Sequence, residues 1–138
     1  MPIELDILRG INSAVISAIG TQFPIKALGR VFTKPNSGKW FELVLIEDDN
    51  SNETWGREEL FSGDLRVILH WPINDEGIYE PVGIIAEIKN RLPKGLRIFN
   101  GDAKLLISDV PRTINAIEGT GDMLYSLVVP YQYFHVPS

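Results

Sequence analysis

Two histidines, His70 and His135, are the only imidazoles in the sequence, and it contains no cysteine. Without thiols there can be no disulfide, no thiolate metal site and no cysteine nucleophile. A histidine base needs an orienting partner and a nucleophile within hydrogen-bond reach. The neighbours of His70, on the polar register of a strand pattern, supply neither. His135 stands three residues from the end of the chain. Both read as structural or surface histidines, and no catalytic residue, cofactor site or metal site is expected.

Other patterns that could carry chemistry are incomplete. Asp48, Asn50 and Asn52 have the ligand spacing of a calcium loop, with Glu59 at its twelfth position. However, Glu53 occupies the place where that loop turns on glycine, and a strand pattern precedes it where a helix belongs. Gly119-Thr120-Gly121 lacks the lysine of a phosphate loop and is flanked by Glu118 and Asp122, which repel phosphate. Lys89, Arg91, Lys94 and Arg97 gather where a helix pattern ends, the ordinary complement to a helix dipole. No Gly-x-Ser-x-Gly elbow occurs.

Surface chemistry is a better fit. Glu47, Asp48, Asp49 and Glu53 belong to a stretch, 47–53, without one apolar residue. Trp55 follows among polar neighbours, and Tyr131, Tyr133 and Phe134 crowd the C-terminal end. Aromatic side chains beside polar ones are favoured in protein–protein contacts, so these eight residues are the candidate assembly interface. For each aromatic, local packing against a sheet is the competing expectation. The net charge of −5 and pI of about 5.0 argue against wrapping DNA, which demands a concentrated basic surface.

The elements that must position these residues follow from hydrophobic period. Leu5, Leu8, Ile11, Val15 and Ile19 recur at helical steps, predicting a helix over 3–19 that stops at Gly20. Residues 21–39 read as a connector punctuated by proline and glycine. Lys39–Ile46 and Phe61–Trp71 alternate as strands, with Phe41, Leu43 and Leu45, and then Leu65, Val67, Leu69 and Trp71, facing a core. A second helix is predicted over Ile78–Leu92, weakened about 1 kcal/mol by Gly83. Leu96–Phe99 and Ala103–Ile107 flank Asn100-Gly101, a strong hairpin signal. Arg112–Ile117 reads as an edge strand after Pro111, and Met123–Phe134 as a last strand whose Pro130 implies an edge or bulge. The 138 residues, 44% hydrophobic and 22% charged, have the composition of one globular domain spanning 1–138. The expected class is α+β, an antiparallel sheet of about four to six strands with two helices packed on one face. The opening Met1-Pro2-Ile3-Glu4 lacks the basic flank of a secretory signal, which points to a cytosolic setting.

The order of these features resembles phage tail-terminator (tail-completion) proteins. The run Phe32-Thr33-Lys34-Pro35-Asn36-Ser37-Gly38-Lys39-Trp40-Phe41-Glu42-Leu43 is similar to the way their chain enters its first strand. A polar loop and a strand like Gly63–Pro72 follow, then a glycine turn like Asp75-Glu76-Gly77 and a helix like Ile78–Leu92. A closing strand like Val129-Pro130-Tyr131 completes the likeness. The resemblance implies a non-enzymatic virion assembly protein, made in the host cytoplasm and found in the tail or neck. It would form a ring with copies of itself, usually a hexamer, on the head-proximal end of the tail tube. There it would end tube polymerisation and offer a surface for joining the head–neck. Its partners would be the tail tube protein and the head–tail connector, with DNA passing through the lumen without specific binding. An acidic loop over 47–53 suits such a lumen, since like charges repel.

A head–tail connector component is the neighbouring reading, and a small cytosolic ligand-binding domain or enzyme the reading from another class. The latter needs a pocket with paired acids that the sequence does not name. A calcium titration followed by calorimetry is expected to give no binding heat. A saturable signal would revive the calcium-loop reading of Asp48 to Glu59.

Overall fold

A computed structural model describes residues 3–21, 23–26, 32–47, 62–73, 79–100, 103–118 and 121–133. Helix α1 (Ile3–Ile19) leads into a two-residue strand β1 (Ile25–Lys26), then β2 (Trp40–Glu47) and β3 (Ser62–Pro72). Helix α2 (Tyr79–Arg91) follows, and β4 (Arg97–Asn100), β5 (Ala103–Ile107), β6 (Arg112–Glu118) and β7 (Asp122–Tyr133) close the chain. The strands form one seven-stranded sheet in the order β1-β2-β3-β7-β5-β4, with β6 also paired to β7. The α+β class stands, but the sheet is mixed rather than purely antiparallel. β1 runs parallel to β2, Ile25 opposite Phe41. A two-residue strand shows no alternation, so it was hidden inside the punctuated connector. The hairpin also differs by one residue: Asn100 pairs with Ala103 as the last rung of the ladder.

Strand residues alternate between two faces, and register aligns one apolar set across the sheet. Phe41 lies opposite Leu69, and Leu69 opposite Tyr125; Val67 joins Leu43 to Leu127 in the same way. With Leu65, Trp71, Leu105, Ile107 and Val129 these form the buried core. Both helices cover this face: Ile11, Val15, Ala18 and Ile19 from α1, and Ile85 and Ile88 from α2, enter the same cluster. Each fully buried aliphatic side chain contributes roughly 1.5–3 kcal/mol. A slip of one residue in β3 would turn Leu65, Val67, Leu69 and Trp71 to the other face, so the register is strongly specified. Burial pushes the Tyr125 hydroxyl above its ordinary value of 10.0, and the ring enters the core as a neutral phenol.

The connector is structured where it meets the sheet. Phe23 packs edge-on against Trp71, with centroids 5.6 Å apart, and the Lys39 ammonium lies over the indole 4.4 Å from its centroid. Gly38 adopts φ +73°, a left-handed turn that residues with a Cβ rarely take. Among its last-turn residues α1 has no basic side chain. Arg91 of α2 supplies one instead: its Nη1 donates to the Ala18 carbonyl at 2.8 Å, and its Nη2 to Glu87 at 2.6 Å. The guanidinium thus caps the negative end of α1's dipole and ties the two helices together. Among the described residues no helix is long and apolar enough to cross a membrane.

Arg91→Ala is expected to cost about 1 kcal/mol in denaturant unfolding, by loss of a charge-assisted bond to an end carbonyl. Glu87→Ala removes only an exposed i,i+4 pair and should cost under about 0.5 kcal/mol.

Candidate functional site

The face of the sheet away from the helices carries Trp40, Glu42, Ile46, Asp64, His70, Asp122, Pro130 and Gln132 by the same alternation. Two features stand on it, one at each end of β3.

At the end near Pro72, the His70 ring stacks flat on Trp40 with centroids 3.7 Å apart and planes 2° from parallel. Phe32 stacks on Trp40 at 5.0 Å. His70 Nε2 faces Glu42 Oε1 at 3.0 Å, and Nδ1 faces Asp122 Oδ2 at 3.4 Å. Lys26 approaches the other Glu42 oxygen at 3.9 Å. Trp40 is only 9% exposed, and its Nε1 has no hydrogen-bond partner among the described residues. Phe32 and Trp40 therefore stack over the His70 ring, beside a partly exposed row of charges. A neutral imidazole donates from one nitrogen and a protonated one from both. With both nitrogens facing carboxylates, neither is free to take a proton from a substrate. The carboxylates sit on opposite edges of the ring and so do not converge on one ion. Among the described residues no group of three histidine or acidic side chains could hold a metal. The cluster is a latch joining β2, β3 and β7.

At the other end, the edge of β7 is shared. Ile107 of β5 pairs with Tyr131 and Arg112 of β6 with Val128, so residues 108–111 stand opposite only 129–130. The line from β5 to β6 breaks there. The Ser108 amide donates to the Pro130 carbonyl at 3.1 Å. Amide and carbonyl of one strand residue point the same way, so the donor that Pro130 lacks would also have faced the break. Proline is tolerated inside this strand for that reason. Beside the break lies an open pocket of about 380 Å³, bordered by Asp64, Ser108, Val110, Arg112, Pro130 and Gln132 among others. Val110, Ile114 and Ile46 are exposed around it. Its lining is mainly polar: two carboxylates, Asp64 and Asp109, with the Gln132 amide, the Ser108 hydroxyl and one guanidinium, beside Val110 and Pro130.

Of the residues expected at an interface, Glu47 closes β2 opposite Gly63 at this same end of the sheet. Asp48, Asp49, Glu53, Trp55 and Phe134 lie outside the described residues, as does the calcium-like spacing from Asp48 to Glu59. Tyr133 pairs with Leu105 through its backbone. Tyr131 is 3% exposed and packs in the core opposite Gly63 and Ile107, so it is held inside the subunit. Of the basic cluster, Arg91 turned out to cap the other helix, not its own. The pocket escaped the sequence reading, although Pro130 within β7 and Pro111 just before β6 mark the place where the ladder breaks.

No family profile matches the sequence, and no curated protein matches it either. Solved structures do share its fold. One, known by a sequence identifier alone, superposes with a TM-score of 0.77 at 17% identity, covering 99% of this chain and 96% of its own. Another is a chain from the virion of a native gene transfer agent particle, with a TM-score of 0.62 at 14% identity, covering 95% of this chain and 96% of its own. At such identities the likeness is one of fold.

His70→Ala removes the ring between two half-buried carboxylates and is expected to lower unfolding stability by about 2 kcal/mol. In a double-mutant cycle with Glu42→Gln the two changes should couple by more than about 0.5 kcal/mol. Strict additivity would show that the latch carries no energy.

Proposed function

We propose that this chain is a structural subunit of a phage-like virion, working by shape and contact rather than by catalysis. The observation that carries the reading is the end-to-end correspondence of fold with a chain of the gene transfer agent virion, 95% of one on 96% of the other. The run from Phe32 to Leu43 and the order of elements after it resemble tail terminators, and this favours one position in the particle. In that position the chain forms a ring, a hexamer in the simplest case, on the head-proximal end of the tail tube. It stops tube growth and presents the surface to which the head–neck joins.

The architecture suits such work. A ring subunit must meet its neighbour through two different surfaces, because a heterologous contact closes by rotation. The helix layer and the open sheet face are two such surfaces, each with exposed apolar residues: Tyr79 and Val82 on α2, and Ile46, Val110 and Ile114 on the sheet side. The acidic stretch 47–53 begins with Glu47, the last residue of β2. We assign it, with Trp55, Tyr133 and Phe134, to the lumen or to a docking face. Negative charge there would let DNA pass without adhering.

The test is electron microscopy of particles assembled without this chain. Over-long tails lacking heads are expected. Tails of normal length that fail to join heads would instead place the chain in the head–tail connector. Intact virions would overturn both positions.

A further inference from the structure

We propose that the outward face of the β4–β5 hairpin binds single-stranded nucleic acid, with Arg97 and Lys104 on phosphates and a base stacked on Phe99. This goes beyond the virion reading and does not depend on where in a particle the chain sits.

Charge is unevenly placed in this acidic chain. Five of its thirteen lysines and arginines fall within residues 89–104, where Asp102 is the only acid. The fold gives them separate tasks. Arg91 is used between the helices, whereas Arg97 and Lys104 stand on the hairpin. Register decides which way they face. Ile98 lies opposite Leu105, and Leu105 is fully buried in the core with Ile98 packed against that cluster. By alternation Arg97 and Phe99 of β4 and Lys104 of β5 lie on the other face of the hairpin, away from the helices.

These three residues are neighbours there. Lys104 lies directly across from Phe99, and Arg97 is two residues along β4. Residues directly opposite in an antiparallel pair have Cβ atoms about 4.5–5.5 Å apart, and diagonal ones about 7–8 Å. Phe99 is 64% exposed, and among the described large hydrophobics only Tyr79 is more so. It stands on the outermost strand of the sheet. The hairpin thus holds a bare ring with a cation across from it and another beside it. An acidic peptide would answer the cations and leave the ring uncovered. A nucleotide answers both, because every base has a π-face to stack and a phosphate to pair.

The net charge of −5 does not forbid the contact. Glu47, the last residue of β2, lies four strand spacings away in the order β2-β3-β7-β5-β4. At about 4.8 Å per spacing this is roughly 19 Å, about twice the screening length of 0.1 M salt. Wrapping a duplex needs a wide basic surface, whereas holding one or two nucleotides needs only a strip.

The experiment uses the full chain and a fluorescein-labelled decamer of deoxythymidylate, with binding followed by anisotropy and folding by circular dichroism. Saturable binding is expected in about 50 mM salt, weakening steadily as salt rises. Phe99→Ala should weaken it about tenfold, and Phe99→Tyr, which keeps a stacking ring, should not. Arg97→Gln and Lys104→Gln should each lower the slope of log affinity against log salt by about 0.7. Lys34→Gln, at an exposed lysine before β2, should change neither affinity nor slope. No binding at hundreds of micromolar protein overturns the proposal. So does a salt slope that ignores Arg97 and Lys104, or a loss from Lys34→Gln as large as theirs. Equal binding by Phe99→Ala removes the stacked base and overturns it too. A glutamate decamer bound as tightly as the oligonucleotide would make the strip a face for acidic protein instead. The virion reading is judged separately, by the particles formed without this chain.

Discussion

The division of one edge of β7 between two strands sets the shape of the whole molecule. Its other edge pairs with β3 over eleven successive rungs, Ser62–Pro72 against Asp122–Gln132, so these two strands form a rigid centre. The shared edge cannot be served by one unbroken strand. The chain runs along the first part as β5, loses register over residues 108–111, and resumes as β6. The break holds Pro130 without the loss of a ladder bond and opens the pocket on the face away from the helices. On the covered side α1 lies over β4 and β5 and α2 over β3 and β7, each helix burying the apolar residues beneath it.

The two faces are bound by different physics. The covered face is held by area removed from water, spread over many aliphatic residues. The open face has one concentrated device, the stack of Phe32, Trp40 and His70 with Glu42 and Asp122 on the ring's nitrogens. It links three strands through side chains rather than backbone. Arg91 plays the matching part in the helix layer, joining α2 to the carbonyl end of α1. These two ties lie at positions where composition alone suggests only surface charge.

Much of the fold was legible because strands and helices impose their own periods. The limits of α1 fall at Ile3 and Ile19 in both readings, and β3 and β7 lie within one residue of the alternation. What escaped was whatever depends on partners distant in sequence. Asp64, Val110, Arg112 and Gln132 meet only after three strands pair. Glu42, His70 and Asp122 look unrelated until register aligns them. Tyr131 is the instructive error. Its place at the aromatic C-terminal end suggested exposure, yet Tyr125, Leu127 and Val129 already defined an inward register, and Tyr131 is its next member. Period outranks neighbourhood when a residue still lies in a strand.

The free edges of the sheet bear on how this chain would meet others if it assembles as proposed. β1 offers two residues and β4 four, while β6 shifts register between Ile114 and Ile117. Short edges and bulges are how sheets discourage indiscriminate backbone pairing. A subunit protected in this way must find its neighbours through side chains, and a few anchoring aromatic and arginine residues then carry most of the energy. That division has a consequence for sequence. The alternation that builds the sheet can be met by many apolar residues, which agrees with a fold shared at 14–17% identity. Contacts between copies, on the proposed reading, would depend on a handful of positions, and such positions have no period by which to be read.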